Sequence, residues 1–280
     1  MNLSTLLKIS RPKFWGYLAG TFLVGYTLGI NSLQEFYTPV FFVLLGFFLF
    51  PANLLLYGIN DLFDQDTDAF NKKKTVHEHR LLKKETRALL ISLFFCLLIS
   101  VSIFFLLPSL LTRILFVLFI FLSASYSMPP LRFKSKPLVD SISNILYILP
   151  GIIGYLVVSN QSLNWWILIA SSCWAIAMHL FSAIPDIQAD KKAHLTTSAI
   201  FFGQTFSLFL CSILWFAFSL VALNQSQIFP LSLLTIIYPI IPLLLILRKK
   251  LPIIEIYWYF PWINNFLGFI LFGWLIWQQI

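Results

Sequence analysis

Apolar residues run unbroken along this chain for stretches of about twenty positions, the length that crosses a hydrocarbon core as an α-helix. Nine such runs lie near residues 12–30, 39–62, 88–107, 110–127, 138–158, 163–185, 197–222, 229–247 and 257–277. Only helices and closed barrels satisfy their backbones in lipid. Barrel strands alternate apolar and polar positions over about ten residues, and these runs do not, so each predicts a helix. Pro108, Pro129, Pro130, Pro137 and Pro230 stand between runs, where helix breakers belong. The first run follows Lys8, Arg11 and Lys13, as a secretory leader would. It is too long for a leader's apolar core and no small-x-small cleavage site stands out, so it is read as a retained helix. The expectation is all-α: a polytopic bundle of nine transmembrane helices, filling residues 1–280 as a single domain.

The basic residues test that count. Lys8, Arg11 and Lys13 precede the first run; Lys72, Lys73, Lys74, Arg80, Lys83, Lys84 and Arg87 follow the second. Arg132, Lys134 and Lys136 follow the fourth, Lys191 and Lys192 the sixth, and Arg248, Lys249 and Lys250 the eighth. Nine crossings therefore put every basic residue except Arg113 on one side. Excess Lys and Arg marks the cytoplasmic side, which places the N-terminus inside and the C-terminus outside, in the plasma membrane.

Composition agrees. The chain is 59% hydrophobic and 11% charged, against about 25% charged residues in soluble domains. The net charge of +8 is then explained by cytoplasmic loops facing anionic lipid, and no nucleic-acid partner is expected. Cys96, Cys173 and Cys211 each lie inside an apolar run, with no CxxC and no His at ligand spacing. They read as small core residues.

The acids are as unevenly placed. Asn60-Asp61-Leu-Phe-Asp64-Gln-Asp66-Thr-Asp68 closes the second run. On a helix turning about 100° per residue, Asn53, Tyr57, Asn60, Asp61, Asp64 and Asp68 share an arc of about 100°. Asp66 points elsewhere. Three carboxylates on one face repel one another, and charge at membrane depth is costly unless compensated. Mg²⁺ offers that compensation: it is held by one or two carboxylates plus substrate phosphates. The bland alternative is a solvated acidic helix end balanced by Lys72-Lys73-Lys74, but that would not need Asn53, Tyr57 and Asn60 aligned deeper on the same stripe.

Pro185-Asp186-Ile-Gln-Ala-Asp190-Lys191 closes the sixth run. Asp186 and Asp190 are four apart and share a face; alone, such a pair says little. At the same membrane level as the first cluster, it can help hold Mg²⁺ around a diphosphate. An acidic helix end followed by a basic segment thus recurs in both halves of the chain. Tyr126-Ser-Met-Pro-Pro-Leu-Arg132-Phe-Lys134 is a short loop whose two cations either contact phosphate oxygens or simply mark the cytoplasmic side. Lys191 and Arg11 are weaker candidates of the same kind. An ionised allylic diphosphate leaves a carbocation, which aromatic faces stabilise. Most of the 30 Phe must pack or face lipid, so only Tyr57 and Tyr126 are singled out. His179 reads as a hydrogen-bonded core residue, not a base.

Asn60-Asp61-x-x-Asp64-x-x-x-Asp68 resembles the NDxxDxxxD motif of the UbiA superfamily of intramembrane prenyltransferases. Asp186-x-x-x-Asp190 sits where that family has its second aspartate motif, and the Tyr126–Lys134 loop and Arg11-Pro12 resemble its corresponding segments. Nine helices is also the family's number. Pro51-Ala-Asn53 through Asp61, with Ala183-Ile-Pro185-Asp186-Ile-Gln-Ala-Asp190 and Thr196-Thr197, is similar to the lycopene elongase branch. The resemblance implies Mg²⁺ held by Asn60, Asp61, Asp64, Asp68, Asp186 and Asp190, with Asp64, Asp68 and Asp190 catalytic. It implies dimethylallyl diphosphate as donor and a carotenoid end as the lipophilic acceptor. Asn53, Tyr57, Tyr126, Arg132, Lys134 and Lys191 are the expected substrate contacts. His194 stands where some members carry a third acid, which puts a third ligand in the second motif in doubt. Two rivals are kept. One is an aromatic acceptor, 4-hydroxybenzoate or a naphthoate. The other is a polytopic transporter, against which stands the absence of paired Gly/Pro breaks at mid-depth in the sequence.

Overall fold

The computed structural model describes residues 3–65, 79–159, 161–248 and 250–280, and among them every regular element is helical. The helices are α1 (Leu3–Ile9), α2 (Ala19–Gly29), α3 (Pro39–Leu49), α4 (Pro51–Phe63), α5 (Thr86–Leu106), α6 (Leu110–Ser125) and α7 (Val139–Ile142). There follow α8 (Leu149–Val158), α9 (Trp165–Ala183), α10 (Ile187–Lys192), α11 (Ser198–Leu223), α12 (Ile237–Leu247) and α13 (Ile253–Trp277). Short 3₁₀ turns join several of them into longer rods, as Ser143–Tyr147 joins α7 to α8.

All nine apolar runs fall on helical segments. Among the described residues, however, six rods are long and apolar enough to cross a membrane: Pro39–Phe63, Lys83–Leu106, Val139–Val158, Trp165–Lys192, Ser198–Leu223 and Ile253–Trp277. The fourth and eighth runs form the shorter apolar helices Leu110–Ser125 and Leu231–Leu247. The first run is divided at Leu18 into a 3₁₀ turn, Pro12–Tyr17, and α2.

Several rods are also broken along their length. Pro51 starts α4 after Phe50, at φ −124° and ψ −61°, has left helical geometry. The Asn53 amide closes this break by donating to the carbonyls of Phe48 at 2.8 Å and Leu49 at 3.0 Å, which would otherwise be bare in lipid. The continuous apolar run thus hides a break in its helix. A run of apolar residues reports burial in lipid, not the continuity of its helix.

Two cores form. One gathers residues from Ile9 to Ile153, the other residues from Ala177 to Phe260, and Trp174 and Trp258 pack against both. Across that seam Tyr238 donates to Asn264 Oδ1 at 2.6 Å, and Asn264 Nδ2 donates to the Tyr17 hydroxyl at 2.7 Å. Within the first half, α2 meets α8 through glycines. A Cβ at Gly151 would lie 2.8 Å from the Thr21 carbonyl oxygen, and one at Gly154 2.8 Å from that of Phe22. Small residues permit this approach, the usual basis of helix packing in lipid, where no hydrophobic effect draws helices together. Thr21 Oγ1 then reaches the Tyr147 carbonyl at 3.0 Å. Outward faces carry bare apolar side chains, such as Phe94, Phe95, Ile99 and Phe105 on α5, as expected of a lipid-facing surface.

Candidate active site

A cavity of about 250 Å³ opens along the seam. Asn60 and Asp64 reach it from α4 and its C-terminal end. Asp186 and Asp190 reach it from the other half: Asp186 ends the 3₁₀ turn that follows α9, and Asp190 lies in α10. The two acidic clusters expected to share a cavity are brought together. Among the other candidates, Arg11, Tyr57, Tyr126 and Lys134 also line it.

The first cluster does not stay on one helical stripe. The helix ends at Phe63, and Asp64, at φ −106° and ψ 8°, is its C-cap. From there Asp64 Oδ1 meets Lys134 Nζ at 2.7 Å, and Oδ2 accepts from Ser127 Oγ at 2.8 Å. Ser127 Oγ also lies 3.0 Å from Asn60 Oδ1, so one hydroxyl links both cavity-lining groups of the motif. Asp61 is 1% exposed and does not line the cavity. Its Oδ1 receives Arg11 Nη2 at 2.9 Å, and the Arg11 guanidinium lies 4.5 Å over the Tyr57 ring. A buried carboxylate is costly without such a partner. Asn53 is fully buried at the α4 break and is likewise not on the cavity wall. Asp68, with Asp66 and Lys72 to Lys74, lies outside the described residues.

The 126–134 loop folds back on itself, Lys134 N donating to the Tyr126 carbonyl at 3.0 Å, which brings Tyr126, Ser127 and Lys134 to one place. Arg132 adopts the left-handed region at φ 40°, is half-buried and does not line the cavity. Lys191 is exposed beside Asp190 and does not line it either. Arg11 and His194 are also left-handed, at φ 52° and 54°. Such non-glycine geometry costs about 1–3 kcal/mol and gathers at functional sites.

The deeper wall is aromatic and amphipathic. Tyr57 and Tyr147 hydroxyls lie 3.3 Å apart, and the Tyr17 ring is 5.7 Å from Tyr147 and 6.2 Å from Trp174. Sequence reasoning missed Ser127, Tyr147 and Trp174. Nothing distinguishes an isolated Tyr or Trp in an apolar run from a packing residue. It also set aside His179, which lines the cavity, although an ionisable side chain within a membrane span is itself a functional signal.

The arrangement presents oxygen donors from two halves of the molecule to one pocket, with two cations beside them. No three of the described His, Cys, Asp or Glu side chains converge as a ready-made metal cage. The donor set suits a hard ion that takes one or two carboxylates and completes its shell from water and phosphate.

Comparisons with known proteins agree with this geometry. Residues 17–252 match the UbiA prenyltransferase family. The chain is 37% identical over 265 residues to a lycopene elongase/hydratase of Halobacterium salinarum, covering 95% of this chain and 94% of that one. It is 35% identical over 268 residues to a lycopene elongase/hydratase of Haloarcula japonica, covering 96% and 90%. The fold is similar to that of a UbiA homologue from Archaeoglobus fulgidus solved with GPP and Mg²⁺. There the TM-score is 0.72, at 22% identity, over 96% of this chain and 99% of that one. A UbiA homologue from Aeropyrum pernix K1 gives a TM-score of 0.74 at 14% identity, over 96% and 99%. A helical bundle built for the membrane, with its two aspartate motifs facing one cavity, makes this chain a multi-pass membrane enzyme of the UbiA prenyltransferase family.

Proposed function

We propose that the enzyme transfers a prenyl group from an allylic diphosphate, with dimethylallyl diphosphate favoured, to the end of lycopene or a related carotenoid. One observation carries the transfer chemistry: Asn60 and Asp64 from one half and Asp186 and Asp190 from the other line a single cavity whose deeper wall is aromatic. The carotenoid acceptor is supported by the relatives, each 35–37% identical over nearly the whole chain and each a lycopene elongase/hydratase.

In this reading Asn60, Asp64, Asp186 and Asp190, with Asp68, hold Mg²⁺. The ion's charge offsets that of the leaving diphosphate. Lys134 turns its ammonium towards the phosphate oxygens, and Arg132 supports the loop that carries it. Arg11 anchors Asp61, so that Asp61 serves the site by holding the end of the first span against α4. The Tyr57 and Tyr126 rings face the prenyl carbons and stabilise their developing positive charge. The terminal alkene of the acceptor enters along the apolar wall and attacks the donor's first carbon. The chain acts as one transmembrane domain with nine crossings, the site on the cytoplasmic side.

The test is transfer of label. Purified membranes are incubated with Mg²⁺, labelled dimethylallyl diphosphate and lycopene. Label is expected in a longer carotenoid, and EDTA should abolish it. Label moving only to 4-hydroxybenzoate or a naphthoate would overturn the carotenoid acceptor while leaving prenyl transfer in place.

A further inference from the structure

One ionisable pair at the cavity lies outside the two acidic motifs. His179 lies on α9, seven residues before Asp186 and so roughly 10 Å further along the helix axis from the acidic end. It lines the cavity with Tyr126 beside it. Its Nε2 is 3.9 Å from Asp140 Oδ2 and 3.5 Å from the Tyr126 hydroxyl, and the two rings stand edge to face with centroids 5.7 Å apart. Asp140 is 0% exposed. Ser141 N and Ser198 N each donate to it at 2.7 Å, and Ser198 Oγ donates as well. These bonds tie the start of α7 to the start of α11 and leave the carboxylate no freedom to turn.

A carboxylate buried as fully as Asp140 is costly without partners, and His179 stands beside it in addition to the Ser141 and Ser198 donors. The acidic end of the cavity is where a diphosphate would sit, so His179 stands at the next level, beside the reacting carbons. We infer that His179 is the base that ends the reaction, with Asp140 as the residue that positions it. This rests on the carotenoid transfer proposed above.

The step balances. The alkene's electron pair forms the bond to the donor's first carbon, while diphosphate leaves with the pair of the broken C–O bond. The other alkene carbon of the acceptor becomes a tertiary cation. A C–H bond next to it breaks, its electrons close a new C=C bond, and the proton goes to the imidazole. The imidazolium so formed is paired with Asp140, and the proton passes to water as the product leaves.

The competing base is the departing diphosphate, and acceptor isotope effects separate the two. Wild type, His179→Gln, His179→Asn and Asp140→Asn are compared for donor affinity and for transfer to lycopene, unlabelled or deuterated at its terminal methyl groups. With His179 as base, the His179 variants bind donor within about twofold of wild type. Their turnover falls by about 10²–10⁴-fold, the usual worth of a general base. Proton loss becomes rate-limiting in them, so a deuterium effect larger than that of wild type appears. Asp140→Asn shows the same enlarged isotope effect with a smaller loss of turnover. A change in turnover without the isotope effect, or none at all, assigns the proton to the diphosphate and overturns the inference. Loss of donor binding in both His179 variants places His179 in the diphosphate site and also overturns it. If wild type transfers nothing to lycopene, the proposed function and this inference fall together.

Discussion

At the residue scale, Asp61 and Asp64 stand three positions apart in one motif and have different surroundings. Asp64 lies on the cavity between Lys134 and Ser127, whereas Asp61 is sealed against Arg11. Asp64→Asn is therefore expected to lower transfer by at least about 100-fold, a loss of some 2.7 kcal/mol of transition-state stabilisation. It should also raise the Mg²⁺ concentration needed for half-maximal activity. Asp61→Asn keeps the shape but gives up a charge-assisted hydrogen bond, which contributes about 1.5–3 kcal/mol. Its main effect should be a lower unfolding temperature in detergent, with a smaller change in Mg²⁺ requirement. Thermal unfolding and an Mg²⁺ titration of each variant check this, and the reverse pattern would exchange the two roles. The spacing of the motif was legible in the sequence. The difference in their surroundings was not, because a helical wheel assumes that the helix continues and this one ends at Phe63.

At the scale of elements, the cavity depends on how closely α2 and α8 approach. A side chain at Gly151 meets the Thr21 backbone, which cannot yield as a flexible side chain can. Gly151→Val is expected to destabilise the protein by about 1–3 kcal/mol or more, the usual range for overpacking. It should also disturb Thr21 and Tyr147, which share a hydrogen bond at this crossing. Gly46→Ala is the control: a Cβ there meets nothing within 4 Å, and the higher helix propensity of Ala should leave stability equal or slightly raised. Unfolding temperatures of the two variants decide the point. Equal loss in both would mean that helix propensity, not close approach, governs these positions. The breaks at Leu18 and Phe50 belong to this scale too. Hydropathy predicted nine continuous spans because apolar side chains look the same to lipid whether or not the backbone between them bends.

At the scale of the whole molecule, two cores meet along a seam; one half supplies Asn60 and Asp64 to the cavity within it, and the other Asp186 and Asp190. Function then depends on the register of the halves, held by Trp174, Trp258 and the Tyr17–Asn264–Tyr238 chain. The proposed topology can be tested with an impermeant maleimide on intact cells. The chain's own Cys96 and Cys211 are buried, and Cys173 is replaced by Ala. Single cysteines at the exposed positions Gln34 and Gln279 should label from outside, while one at exposed Lys136 should label only after lysis. A protected Gln279→Cys would imply an even number of crossings, and a labelled Lys136→Cys would reverse the orientation.

The sequence alone determined the solvent, the helical class, the family resemblance and the spacing of the acidic motifs. Each of these is written in local features: runs of apolar residues, charge asymmetry between neighbouring loops, and carboxylates at helical spacing. Tertiary structure alone decided which of those residues face the cavity. Tyr57, Asn60, Asp64, Tyr126, Lys134, Asp186 and Asp190 line it; Asn53, Asp61, Arg132 and Lys191 do not. It also decided that Asp140 and Tyr126 approach His179 from elements far away in the chain. The reason is physical. A side chain's direction is set by where its helix stops and by the helix packed against it, and both follow from contacts between residues distant in sequence.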